Sequence, residues 1–151
     1  MQMALFAVIG IGSMLAMGAQ SGPTVTTTRS TPADTVGLAS KLVGKWTGVR
    51  TDSGSATPQH FTMDWKKAAD GHLNGTVAVA GGPTYQTSVV WSSDTALIME
   101  SAPHQSPGLS ERVVTRTIAH LKGDSLVGRT ELRPTAYKGR SITGHISARK
   151  S

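Results

Sequence analysis

From Gly44 to the end of the chain, apolar and polar residues alternate over short stretches and show no run at the roughly 3.6-residue period of a helix. The stretches are rich in Val, Ile, Thr and Trp and are divided by Gly, Pro and Asp, the pattern of strands with one buried face. Eight strands are expected, at about 45–51, 60–67, 72–80, 84–92, 95–101, 111–122, 125–133 and 137–149. Ahead of them, Asp34 can cap a short helix running to about Leu42.

The connections between these strands fall into two kinds. The second, fourth and sixth are tight: Ala69-Asp70-Gly71, Ser92-Ser93-Asp94 and Lys122-Gly123-Asp124. The first, third, fifth and seventh are longer and contain Pro58, Pro83, Pro103 with Pro107, and Pro134. In an up-and-down meander alternate connections lie at opposite ends, so one end should be closed by tight turns and the other should carry the long loops. Eight antiparallel strands also suffice to close a barrel that holds side chains or one small ligand. The predicted fold is therefore all-β: an eight-stranded antiparallel up-and-down β-barrel with a short N-terminal helix.

Register can be read at one hairpin. A two-residue Gly123-Asp124 turn pairs Lys122 with Ser125. Counting outward sets Leu121 against Leu126, Ala119 against Gly128, Thr117 against Thr130 and Thr115 against Leu132 on an inward face. The outward face sets His120 against Val127, Ile118 against Arg129 and Arg116 against Glu131. An apolar-x-Gly triplet recurs at Trp46-Thr47-Gly48, Leu73-Asn74-Gly75, Leu126-Val127-Gly128 and Ile142-Thr143-Gly144. Inward glycines at these points would let a small barrel coil tightly.

The first third of the chain follows a different pattern. Met3 to Ala19 is an uncharged run of Met, Leu, Ile, Ala and Gly, short of the roughly 20 residues that span a bilayer. It suits a secretory signal cut after Gly18, although no Lys or Arg precedes it. Residues 19–36, rich in Ser, Thr, Pro and Gly, have too little apolar surface to offset ordering and are expected to form a disordered linker. The expected organisation is a signal at 1–18, the linker at 19–36 and the barrel domain at 37–151, in an exported protein, periplasmic or extracellular, without a permanent membrane span. With no cysteine in 151 residues, disulfides, thiolate chemistry and Cys-bound metal are excluded, so such a domain must be stable through its core alone.

Net charge is +6, and its position matters more than its size. Residues 29–100 carry six basic and six acidic side chains, and residues 101–151 carry nine basic and three acidic. Arg112, Arg116, Arg129, Arg133 and His120 are expected on one outer face, a stripe suited to an anionic envelope surface or a protein partner. Export and the scarcity of interleaved aromatics argue against nucleic acid.

Gly44-Lys45-Trp46 opens the first strand and Arg149 lies near the end of the last, both at the tightly turned end. This resembles the lipocalin and wider calycin signature, in which Gly-x-Trp begins the barrel and a basic residue of the last strand packs over the indole. Asp70-Gly71-His72-Leu73-Asn74-Gly75-Thr76 and Gly123-Asp124-Ser125-Leu126-Val127-Gly128 are similar to phrases in small lipocalin-like domains of bacterial envelope proteins. The resemblance covers about 37–150 and implies a closed barrel that binds a small molecule. Gly44, Trp46 and Arg149 then form its structural signature.

Alternation from Trp46 turns Arg50 inward, and alternation from Ile142 and Ile146 turns Arg140 and Lys138 inward on the neighbouring strand. Together they would meet an anionic head at the mouth. Phe61, Met63, Trp65, Tyr85 and Trp91 would line the space below for an apolar or amphipathic molecule. Glu100, His104 and His60 gather near the same end, but the histidines show no metal-ligand spacing, so no metal or cofactor is expected. No nucleophile elbow or ordered catalytic constellation occurs, and no enzymatic activity is expected. The alternative function is an interaction or inhibitor module docking through the proline-containing loops or the basic face.

Overall fold

A computed structural model describes residues 37, 41–107, 109–136 and 140–151. The signal and linker expected at 1–36 lie outside the described residues, as does most of the short helix expected at 34–42. The elements described are strands: β1 (Gly44–Asp52), β2 (Gln59–Lys67), β3 (Leu73–Val79), β4 (Thr84–Ser92), β5 (Ala96–Ser101), β6 (His104–Gln105), β7 (Arg112–Lys122), β8 (Ser125–Pro134) and β9 (Ile142–Lys150). They form one antiparallel sheet in the order β5-β4-β3-β2-β1-β9-β8-β7-β6, and an additional β5–β7 pairing closes it. Strand β6 pairs with β7 beyond the end of β5, so β5 and β6 occupy one of eight positions around a closed barrel. The break between them falls at Ala102–Pro103, where proline has no N–H to donate to a ladder.

The hairpin register read from the sequence holds through all of β7 and β8, from Lys122↔Ser125 to Thr115↔Leu132. Gly123 takes a positive φ of 58°, as its tight turn requires. Thr115, Thr117, Ala119 and Leu121 are buried, while Ile118 and His120 are exposed. The connections also sort as expected, with the β2–β3, β4–β5 and β7–β8 turns at one end and the longer loops at the other.

The closed end is packed solid. Trp46, Trp65, Leu42, Leu73, Leu97 and Leu126 are all essentially inaccessible. Trp46 donates its indole N–H to the Leu42 carbonyl at 2.8 Å, which ties the segment before β1 across the barrel floor. Trp65 fills its space because Gly75, opposite it on β3, has no side chain: a Cβ there would stand 2.8 Å from the indole. The cation over Trp46 is Lys150, with Nζ 5.9 Å from the ring centroid and donating to the Lys41 carbonyl at 2.9 Å. It is not Arg149, which strand alternation turns outward into solvent. Among the described residues no helix is long and apolar enough to cross a membrane.

Two strands depart from expectation. The ladder between β4 and β5 slips between Val89 and Trp91, so Val90 is an extra, unpaired residue. A bulge of this kind reverses the alternation beyond it. Ser92 therefore points inward, and Trp91 faces solvent with 43% of its surface exposed. Among the described residues the last strand begins at Ile142, opposite Leu132 of β8, with Arg140 and Ser141 ahead of it outside the ladder, whereas the sequence places its start at 137.

Candidate functional site

Above the packed floor, the inward positions change in kind. Strands β2 and β3 contribute apolar side chains, Phe61, Met63, Val77 and Val79, while Thr87, Ser101, Thr115, Thr117 and Thr130 bring hydroxyls from β4, β5, β7 and β8, with Met99 and Ile146 interspersed. Arg50, Gln59 and Tyr85 complete the lining of a cavity. Its volume is about 40 Å3. That is room for about three waters, and a larger guest requires side chains to move. Met63 and Met99, unbranched and adaptable, stand in the wall where such movement is easiest.

Arg50 is the charged member of this lining. Its place is set by β1, where Trp46, Gly48 and Arg50 share the inward face. The side chain is 6% exposed and forms an ion pair with Asp52, Nε to Oδ1 at 3.0 Å. Nη2 donates to Asp52 Oδ2 at 3.1 Å and to Gln59 Oε1 at 2.5 Å. Nη1 has no hydrogen-bond partner among the described residues. Asp52 comes close because Gly144, its partner on β9, has no side chain: a Cβ there would lie 2.6 Å from Asp52 Oδ1 and 3.0 Å from Thr130 Oγ1. The Thr130 hydroxyl is buried and likewise has no partner.

A second polar group forms where the β5–β6 break turns His104 inward. Its ring stacks on Tyr85, with centroids 3.7 Å apart and planes inclined by 14°. Nδ1 lies 3.0 Å from the Ala102 carbonyl and 3.2 Å from Ser101 Oγ, and Nε2 lies 3.4 Å from Thr115 Oγ1. A carbonyl only accepts, which assigns the proton to Nδ1 and the lone pair to Nε2. Ser101 Oγ in turn accepts the Thr115 backbone N–H at 2.8 Å. With a proton on the nearest imidazole nitrogen, Ser101 and His104 lack the polarity of a nucleophile and its base. Burial pushes the His104 pKa below the ordinary imidazole value; the Ala102 carbonyl opposes this, and Arg50 and Arg112 add to it. Burial raises the Tyr85 pKa, with the Arg50 cation and the Thr115 hydroxyl opposing. Both effects favour uncharged rings.

Of the side chains expected to bind a ligand, Arg50, Phe61, Met63 and Tyr85 line this cavity. Trp65 belongs to the packed floor below it, and Trp91 is outside the barrel. Arg140 precedes β9, is exposed, and borders a shallow groove with Leu109 and Pro134. Lys138 lies outside the described residues. The three-cation mouth is therefore not assembled: Arg50 is inside, and Arg140 is apart from it. Asp52, Thr130 and Met99 were not among the expected ligand-binding residues, although alternation from Arg50 and from Thr117↔Thr130 places the first two inward.

The outer basic stripe is largely matched by acids and carbonyls. Arg116 pairs with Glu100 at 2.8 Å, and Glu131, which sits opposite Arg116 in the ladder, pairs instead with Arg133 at 2.6 Å. Arg112 donates to the Pro103 carbonyl at 2.5 Å. His60 is exposed and Glu100 is engaged with Arg116, so neither joins His104. Among the described residues no three His, Asp or Glu side chains converge as metal ligands. Compared with known proteins, the sequence matches no family model and no curated protein.

Proposed function

We propose that this chain is an exported, lipocalin-like binding protein that holds one small apolar or amphipathic molecule in the open half of its barrel. The observation that carries the reading is the division of one barrel interior into a solid floor and a cavity lined by apolar side chains and hydroxyls. The closed barrel, with Trp46 at its floor beneath a cation from the last strand, supports the calycin-type assignment. The uncharged run at 3–19 supports a periplasmic or extracellular location. The polarity of the Ser101–His104 pair favours binding over catalysis.

The test uses phenyl-naphthylamine, an uncharged apolar fluorophore. Its emission should rise on binding with one-to-one stoichiometry, and Val77→Phe, which fills the cavity, should abolish the rise while the barrel's circular dichroism is retained. Absence of any rise with the unaltered protein, together with a native mass spectrum showing only the bare chain, would remove the reading.

A second reading, an interaction module, draws on the outer face. Trp91 pairs with Ile98 and Ile98 with Ile118, while Val127 is one step diagonal, so four apolar side chains cross β4, β5, β7 and β8 on the outside. Ile118 and Val127 are about half exposed, at 50% and 49%. A partner protein would cover this ridge, and native spectra would then carry the partner's mass in place of a ligand's.

A further inference from the structure

The charge inside the cavity is already balanced, and that limits what can enter. Arg50 presents its Nε–Nη2 edge to Asp52 in a side-on pair, and the two side chains are 6% and 15% exposed. Glutamine 59 takes a further Nη2 proton. What remains is donor capacity without net charge: Nη1 of Arg50, its Nε–H, which lies 3.0 Å from Asp52 Oδ1 without hydrogen-bond geometry, and the Thr130 hydroxyl, which is buried without a partner. Both residues line the cavity. An incoming carboxylate could reach Nη1, but beside Asp52 it would leave the buried site one negative charge in excess. An uncharged oxygen acceptor adds no charge and can receive a proton from each of these groups.

Resting on the proposed ligand-binding role, we infer that the cavity selects amphipathic molecules with an uncharged acceptor at the polar end, such as an amide or alcohol, and discriminates against free carboxylates. Asp52 is the specificity-determining residue: it sets this preference by neutralising Arg50 in advance. The expected anionic head fits a mouth of three cations. The structure offers one inward arginine with its own counter-ion, and Arg140 stands outside.

The experiment displaces bound phenyl-naphthylamine with decanamide, decanol and decanoate, which share a ten-carbon chain, at a pH where decanoate is ionised. Decanamide and decanol should compete at least about tenfold more tightly than decanoate. In Asp52→Asn, the freed guanidinium should improve decanoate by about tenfold or more and leave decanol within about threefold. Decanoate binding as tightly as the uncharged compounds to the unaltered protein overturns the inference, and so does an unchanged order in a folded Asp52→Asn. The series with the unaltered protein decides the matter even if the variant does not fold. If the fluorophore itself never binds, the ligand-binding role falls and this inference with it; if it binds and decanoate wins, only the selectivity is wrong.

Discussion

The two halves of the barrel are built on the same strands with the same alternation, yet one is packed solid and the other encloses a small cavity. At the floor, inward positions hold Trp46, Trp65, Leu73, Leu97, Leu121 and Leu126, and Leu42 plugs the end. Toward the loops, the same faces hold Thr115, Thr117, Thr130, Thr87 and Ser101. Strand β7 shows the change within one element, running inward from Thr115 and Thr117 to Ala119 and Leu121. A threonine is smaller than leucine and leaves more of the interior unfilled; Thr87, Ser101 and Thr115 satisfy their hydroxyls within the barrel, and the Thr130 hydroxyl is left buried without a partner. Stability and binding are thus assigned to different layers of one small barrel.

Truncation should read out that division most strongly. Trp46→Ala removes one of the two largest floor side chains and leaves the Leu42 carbonyl without its donor, so we expect a loss of about 3–5 kcal/mol in urea unfolding. Met99→Ala faces space that is already partly empty and should cost about 2 kcal/mol, the low end for such a change. Equal losses at the two positions would mean that the half with the cavity is packed as tightly in solution as the floor.

The registers that underlie this division are legible in the sequence, but the division is not, since Trp65 is expected beside the ligand and lies in the floor. The β7–β8 register followed from the Gly123-Asp124 turn, because a two-residue turn leaves one pairing open and alternation does the rest. Arg50 pointed inward for the same reason, four residues on from Trp46. Trp91 was misplaced because the extra residue Val90 has no signature of its own in the sequence. The motif's basic residue is Lys150 and not the expected Arg149, because alternation from Ala148 turns Arg149 outward and leaves Lys150 on the indole's side. The Arg116–Glu131 ladder pair was correctly placed but does not form the ion pair, since Glu100 reaches Arg116 from the neighbouring strand β5. Cross-strand position makes a contact available; competing partners decide whether it is used. The Tyr85–His104 stack depends on the break at Pro103, which sends His104 inward three residues after β5 ends.

That stack offers a milder way to separate the halves, through pH. His104 has a lower pKa folded than the ordinary 6.5 it regains on unfolding. The unfolded chain therefore binds a proton more readily over the interval between the two values. The contribution to stability is complete above about pH 6.5 and is lost as the pH falls through the folded value. Urea midpoints should decline as the solution is acidified through that interval, and His104→Gln should remove this part of the slope. Trp46, at the far end, has no such group in contact, so Trp46→Ala should lower the whole profile and keep its shape. A slope unaltered by His104→Gln would show that the imidazole is not held neutral at the barrel's open end.

The smallest expected effect is the most specific. Thr130→Val keeps the shape of a buried side chain and deletes a hydroxyl that has no hydrogen-bond partner. At a position where the hydroxyl served the fold, the change would cost stability; here it should be neutral or stabilising by up to about 1 kcal/mol. Its cost should appear instead in binding, where decanol would lose one of its donors and weaken by a few-fold while phenyl-naphthylamine, which needs none, is unaffected. A clear loss of stability would place the Thr130 hydroxyl with the fold of the barrel, and the polar layer above the floor would then be structural in the same sense as the tryptophans beneath it.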